Sequence, residues 1–195
     1  MMSLFHLFSF AVLFFNTYTA PDIKPTNIDP ADKAVHSLKE ADDYLPWANV
    51  RPLTWEDFLC EPKRNTDAVA LTSTALGISY NVSNHQLNYE ITCSFSKVKS
   101  WGILKTPYIL AHEQGHFDIT EIFARKLNKE IKEYLSKSNK HEGMNPIYSK
   151  LMQEKRDMQT LYDEESNHSI NKTKQAEWNE KIEDLLDELE SYKNY

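Results

Sequence analysis

Cysteine is scarce in this chain, since only Cys60 and Cys93 carry a thiol among 195 residues. Neither has another Cys or a His close by at zinc-ligand spacing, which argues against a metal site built on thiolates. In a reducing compartment the two would be free thiols, whereas in an exported protein they can form one disulfide. Because other features below favour export, we expect the disulfide.

Basic residues are also few, with 22 Lys and Arg against 29 Asp and Glu and a net charge of −7. No basic stripe stands out, so a nucleic acid is not expected as a partner. Acidic residues gather in the C-terminal third, where they are typical of the solvated face of a helix. Composition therefore favours a globular domain without a polyanionic ligand.

Long hydrophobic runs are absent except near the beginning, at residues 4–15. This run has the length of the apolar core of a signal peptide and is too short for a comfortable membrane span. Residues 1–20 are therefore predicted to be a signal peptide or an N-terminal anchor, and residues 21–46 a tether with a short helix. We expect a secreted, periplasmic or envelope protein, with no membrane span in the mature form unless the leader is retained.

Residues 47–193 are predicted to form one α+β domain with a small antiparallel sheet followed by three helices. The segment 68–82 suits a strand, and polar residues 81–84 link it to a second strand at 86–95. That second strand alternates apolar and polar side chains, the apolar ones being Leu87, Tyr89, Ile91, Cys93 and Phe95. Apolar residues at a spacing of three and four then predict a helix from Pro107 to Leu135 and another from Asn145. A polar loop at 163–171 precedes a last helix.

The first of these helices contains the sequence His-Glu-x-x-His at residues 112–116. With ~100° of rotation per residue, His116 lies only ~40° round the helix from His112, so both imidazoles face one way. Two such imidazoles supply half of a tetrahedral zinc site. Glu113 lies beside them, where it can reach a metal-bound water as a general base. A solvated face is the alternative, but apolar residues flank the motif on both sides.

A catalytic zinc needs a third protein ligand, and none is available locally. Ile119 and Ile122 occupy the positions where a known extension of the motif has Gly and His, and Glu121 lies ~180° round the helix from His112. The third ligand must come from elsewhere. His168 is the first candidate, and Asp163, Glu164 and Glu165 are alternatives from the same segment.

Several stretches together are similar to one family. They are Leu53–Phe58, Ala70–Ser73, Ser100-Trp101, Leu110–Ile119, Tyr162-Asp163, His168, Gln175 and Trp178-Asn179. On these residues the chain resembles the predicted secreted zinc-dependent proteases classed as domain of unknown function 922. The resemblance implies a zincin-like fold in which His112, Glu113 and His116 serve as ligand, base and ligand, and it strengthens His168. That pattern usually has Thr at position 166 and Gly at 169, whereas this chain has Ser at both.

The resulting hypothesis is a zinc metallopeptidase that acts on a peptide or protein, in which Glu113 activates a zinc-bound water. Tyr162 can donate to the developing oxyanion or be a core aromatic. Asp163 can hold the ring of His168 by a hydrogen bond or cap its loop. A cell-wall peptide amidase and a zincin-scaffold binding module are the alternative functions. The second is disfavoured because a purely structural site does not need Glu113.

Overall fold

The computed structural model describes residues 42–47, 52–62, 66–83, 86–138 and 140–195. These residues form a mixed α+β fold with a small antiparallel sheet and three helices, which confirms the predicted α+β class. The predicted leader at 1–20 lies outside the described residues, as does most of the tether with a short helix predicted at 21–46. Its last residues, Tyr44–Pro46, are described and form a strand. In the described part of the chain, no helix is both long and apolar enough to cross a membrane.

Two small groups of strands precede the helices. Strand β1 (Tyr44–Pro46) pairs with β4 (Gln86–Ser96), and β4 pairs with β3 (Thr74–Ser83), so the order in this sheet is β1-β4-β3. A separate ladder joins β2 (Ala70–Leu71) to β5 (Trp101–Gly102). All pairings are antiparallel. The segment predicted as one strand at 68–82 is therefore split between two sheets.

The hairpin of β3 and β4 follows the predicted alternation. Ile91, Cys93 and Phe95 are buried on one face, whereas the polar residues between them are exposed or half-buried. The predicted link at 81–84 is wrong in extent, because pairing continues to Ser83 opposite Gln86. Alternation with period two indicates the buried face, but it does not tell where a polar strand end becomes a turn.

Three helices complete the fold: α1 (Pro107–Leu135), α2 (Met144–Ser166) and α3 (Lys172–Glu188). Helix α1 has the bounds expected from the sequence. Thr106 caps it by accepting a hydrogen bond from the backbone N–H of Ile109 at 3.2 Å, and Pro107 lacks the donor that the first turn cannot use. The predicted loop at 163–171 is wrong in its first part, because α2 continues to Ser166.

Helix α1 is the central element of the core. Its apolar residues pack against the sheet on one side and against α2 and α3 on the others. Those with at most 2% exposure are Ile119, Ile122, Phe123, Ala124, Leu127 and Ile131. Each fully buried large aliphatic or aromatic side chain contributes about 1.5–3 kcal/mol. Any side chain on α1 is consequently held by a rigid support.

The expected disulfide is not present, because Cys60 and Cys93 are both free. Cys93 points from β4 into the core, where burial, together with the nearby Glu121 carboxylate, raises the pKa of its thiol. Cys60 lies in the segment after the 3-10 helix Trp55–Asp57, and its backbone N–H donates to the carbonyl of Ser100. The two thiols therefore lie in different parts of the fold, which the number of cysteines does not reveal.

Candidate metal centre

Two imidazoles of α1 converge on one carboxylate of α2. The Nε2 atoms of His112 and His116 lie 3.2 Å and 3.1 Å from the same oxygen, Oδ1 of Asp163. The rings are 4.9 Å apart and nearly perpendicular, at 85°. One atom from each of the three residues lies within 4.8 Å of the others. This group can hold a metal ion.

Two of the three spacings in this group, those that involve Asp163, match a tetrahedral site. With ligand bonds of about 2.0–2.1 Å, two ligands at a tetrahedral angle lie about 3.3 Å apart. The two distances to Asp163 are close to this value. Three ligands with one open position are typical of a catalytic site rather than a closed structural one.

The side-chain amide of Gln175 fixes the tautomer of His112. Its oxygen lies 2.7 Å from Nδ1 of His112, and its nitrogen donates to Oδ1 of Asn179 at 2.8 Å and to the hydroxyl of Tyr162 at 2.6 Å. Because the amide nitrogen already faces these acceptors, the amide oxygen must accept from Nδ1–H. The lone pair of a neutral His112 is then on Nε2, directed at Asp163.

Gln159, on helix α2, fixes the tautomer of His116 in the same way. Its amide oxygen bonds to Nδ1 of His116, while its nitrogen donates to the backbone carbonyl of the same residue at 2.8 Å. A carbonyl is only an acceptor, so the reversed amide would place two oxygens together. The lone pair of a neutral His116 therefore also resides on Nε2.

Two lone pairs and a carboxylate oxygen facing each other require a positive charge between them. Without a metal ion, a proton on His116 can supply it. Burial lowers the pKa of His116, but the hydrogen bond and charge of Asp163 outweigh burial and raise the pKa overall. Burial raises the pKa of Asp163, but the two histidines outweigh it and hold that pKa well below its usual range. A divalent cation satisfies the same three atoms at once.

Glu113 contributes a buried carboxylate oxygen that forms no hydrogen bond within the described part of the protein. The residue is 4% exposed, and its Oε2 is buried without a hydrogen-bond partner among the described residues. Its charge reaches the site, since it is among the groups that raise the pKa of His116. A buried ionised oxygen without a partner is costly, so this atom fits a site in which a water or a substrate group supplies the missing hydrogen bond.

Tyr162 is packed in the core against His112. Its ring is fully buried and stacks on His112 at 4.6 Å and 19°, and its hydroxyl donates to the backbone carbonyl of His112 at 3.1 Å. Gln175 donates to the same hydroxyl. Gly115 makes this packing possible, because a Cβ there would lie 2.4 Å from the Tyr162 oxygen. The geometry thus favours the core-aromatic alternative over an oxyanion donor.

His168 lies beside the group but not within it. Its Nδ1 is 3.6 Å from Oδ1 of Asp163, and its side chain is 74% exposed. The three atoms that converge belong to His112, His116 and Asp163. In this structure the group that could hold a metal ion is thus completed by Asp163, one of the sequence-based alternatives, and not by His168, the first candidate.

The turn that carries His168 has an unusual backbone. Asn167, His168 and Ser169 have φ angles of 48°, 50° and 71°, all in the left-handed region. Such angles cost energy in residues with a side chain and persist where the surroundings impose them. Here the N–H of His168 donates to the carbonyl of Asp163 at 2.9 Å, and the hydroxyl of Tyr108 donates to the carbonyl of Ser169 at 2.7 Å.

The sequence did not point to Gln159 at all, because glutamine is not a usual metal ligand and no local pattern links it to the motif. Gln175 belonged to the stretches that resemble the domain of unknown function 922 family, although no role followed from that. In comparisons with known proteins, no family model, no curated protein and no solved structure matches the chain. The assignment of a candidate metal centre is therefore supported by the geometry of His112, His116 and Asp163 alone.

Proposed function

We propose that the protein is a zinc-dependent hydrolase of peptide bonds with a zincin-like site, in which His112, His116 and Asp163 hold the metal. The observation that carries the proposal is the convergence of both Nε2 atoms on Oδ1 of Asp163. It is joined by Glu113, whose charge acts on His116 and whose buried Oε2 has no hydrogen-bond partner among the described residues. Export to the cell envelope or beyond is part of the proposal and depends on the apolar residues 4–15 alone.

The donor set supports zinc. Two imidazoles and one carboxylate with an open position are the ligands of known zinc peptidases, although the same set also binds Fe(II) in oxygenases. Bound Zn²⁺ supplies Lewis acidity, which polarises a carbonyl and lowers the pKa of water. Glu113 favours the zinc assignment, because its Oε2 has no hydrogen-bond partner among the described residues and hydrolysis needs a base.

Glu113 is the proposed general base. It follows His112 directly on α1 and does not belong to the group of His112, His116 and Asp163. Its charge nevertheless acts on His116. Oε2 can accept the proton of the attacking water and later deliver it to the leaving amine. Asp163 and the two histidines, which the glutamines orient, would hold the metal ion in place during both steps.

Two other functions use parts of the same geometry. Hydrolysis of an amide in cell-wall peptide requires the same base and metal, so only the substrate differs. A binding module would use the metal for structure alone, and it leaves the buried, unpartnered oxygen of Glu113 without a purpose. The peptide hydrolase accounts for more of the site.

The decisive variant is Glu113→Gln, which keeps the size of the side chain and removes its basicity. We expect zinc to remain bound at one equivalent and hydrolysis of unfolded proteins or peptide libraries to fall by about 10²–10⁴-fold. Glu133→Gln, an exposed position on the same helix, is the matched control and should retain full activity. Elemental analysis of both proteins distinguishes zinc from iron. Activity that survives in Glu113→Gln but disappears with a chelator would refute the role of Glu113.

A further inference from the structure

Several exposed apolar side chains belong to segments that contact helix α1 or the turn that carries His168. Among the described residues, ten large hydrophobic side chains are exposed, and six of them lie on these segments or on the strand pair joined to them: Val69, Leu71, Ile103, Leu104, Tyr108 and Ile170. We call these six the apolar rim. Scattered exposed hydrophobic residues are ordinary, whereas a concentrated set marks a binding surface. The rim is therefore a candidate for substrate contact.

One part of the rim is the β2–β5 ladder on the Glu113 side of α1. The hydroxyl of Thr72, next to Leu71, donates to the backbone carbonyl of Glu113 at 3.3 Å. Leu71 is paired with Trp101, and the N–H groups of the residues after β5 bond to the carbonyl of Val69. Ile103 and Leu104 are 57% and 51% exposed. Their side chains thus stand at the Val69 end of a hydrogen-bonded ladder whose other end contacts the backbone of Glu113.

The other part of the rim lies at the N-terminal end of α1. Tyr108 precedes His112 by about one helical turn and lies on the same face. Its hydroxyl bonds to Ser169, the residue before Ile170, whose side chain is 74% exposed. The rim therefore approaches the metal ligands from two different segments.

The backbone of β2 adds a polar component. Within the described residues, β2 pairs with β5 alone, so no strand covers its second edge. An uncovered edge can pair with an extended peptide, and side chains beside it then decide which peptides fit. A surface of this kind suits a flexible chain with large apolar side chains.

We infer that the apolar rim selects extended polypeptide segments with large apolar side chains on both sides of the cleaved bond. This inference depends on the proposed peptide hydrolase and names its substrate class. Such segments are buried in folded proteins and become accessible in unfolded or unassembled ones. The preferred substrates are then non-native chains rather than folded surfaces.

The test measures peptide binding separately from hydrolysis. Zinc-loaded Glu113→Gln protein is titrated with fluorescent peptides of equal length and charge, one rich in Leu and Phe and the other in Ser and Asn. Ile103→Ser and Leu104→Ser are each combined with Glu113→Gln, and Val82→Ser is the matched control because it is 64% exposed near the far end of the β3–β4 hairpin. Wild-type cleavage sites in a peptide library provide a second measurement.

We expect the apolar peptide to bind at least about tenfold more tightly than the polar one, and each rim substitution to remove most of that difference. Val82→Ser should bind like the parent, and library cleavage should cluster between large apolar residues. Equal binding of both peptides, or an unchanged preference in both rim variants, would overturn the inference. Rim-dependent binding to lipid vesicles without discrimination between the peptides would also overturn it.

The two proposals fail in different ways. If wild-type protein cleaves peptides without an apolar preference, the inference is wrong and the peptide hydrolase stands. If the zinc-loaded protein binds apolar peptides through the rim and cleaves none, the rim binds as inferred but the hydrolase is wrong.

Discussion

The amide oxygen of Gln175 lies 2.7 Å from Nδ1 of His112 and thereby determines which nitrogen of the ring can bind a metal ion. Gln159 has the same relationship with His116. Gln159 lies on α2 and Gln175 on α3, so the two histidines of α1 are oriented by side chains from both other helices. The candidate metal centre therefore depends on the packing of all three helices rather than on the helical motif alone.

Replacing Gln175 with Ala should weaken metal binding by about 10–100-fold, the usual effect of removing a group that orients a histidine ligand. Without the amide oxygen, His112 can rotate or adopt the other tautomer. Competition with a chromophoric chelator measures the affinity. Gln153→Ala is the control, since that exposed amide bonds only to side chains of its own helix. Equal affinities of the two variants would contradict the orienting role.

Asp163→Ala and His168→Ala should differ sharply in metal content. Asp163 supplies the oxygen on which both imidazoles converge, whereas His168 is 74% exposed and outside the ligand group. We expect Asp163→Ala to purify with little metal and His168→Ala to retain about one equivalent. Elemental analysis after dialysis gives the comparison, and Glu164→Ala serves as a further control. Loss of metal in His168→Ala alone would restore His168 as the third ligand.

Local signals explain which parts of the site were predictable. The bounds of α1 and the convergence of His112 and His116 follow from helical periodicity, a Thr cap and a proline. The role of Asp163 was harder to predict, because the run after Tyr162 is polar and looks like a loop. Helix α2 instead continues to Ser166, so Asp163 is presented from a helix. No local pattern encodes such contacts between distant helices.

The stability of the metal-free protein should depend on pH through the His116–Asp163 pair. The raised pKa of His116 means that its contribution is present below its unfolded value of roughly 6.5 and is lost as pH rises through the folded pKa. The lowered pKa of Asp163 means that its contribution is present above roughly pH 4 and is lost as pH falls through the folded pKa. Metal-free protein should therefore become less stable at alkaline pH.

Binding of a metal ion should reverse this dependence of stability on pH, because the ligands must lose their protons to bind the metal. The stabilisation by added zinc should grow with rising pH. Urea denaturation at several pH values, with chelator or with excess zinc, measures both trends. In Asp163→Asn the alkaline loss in the chelated protein should be smaller. Parallel pH profiles with chelator and with zinc would contradict a metal centre at these residues.

The last prediction concerns Ser169, whose φ of 71° is left-handed although the residue carries a side chain. Glycine adopts this conformation without strain. The family that the chain resembles usually has glycine at this position. Relief of strain amounts to about 1–2 kcal/mol, whereas glycine costs about 0.4–1 kcal/mol through the more flexible unfolded chain. Relief is at least as large as the cost, so Ser169→Gly should raise the free energy of unfolding by up to about 1.6 kcal/mol.

Ser169→Ala separates this backbone effect from loss of the hydroxyl. Alanine keeps the Cβ and therefore the strain, so it should leave stability unchanged or slightly lower. Urea denaturation of the three metal-free proteins measures the differences, and the slopes should agree because the exposed surface does not change. The hydrogen bond from Tyr108 to the carbonyl of residue 169 is retained in both variants, since it uses only backbone there. If Ser169→Gly proves no more stable than Ser169→Ala, the left-handed turn is not a source of strain.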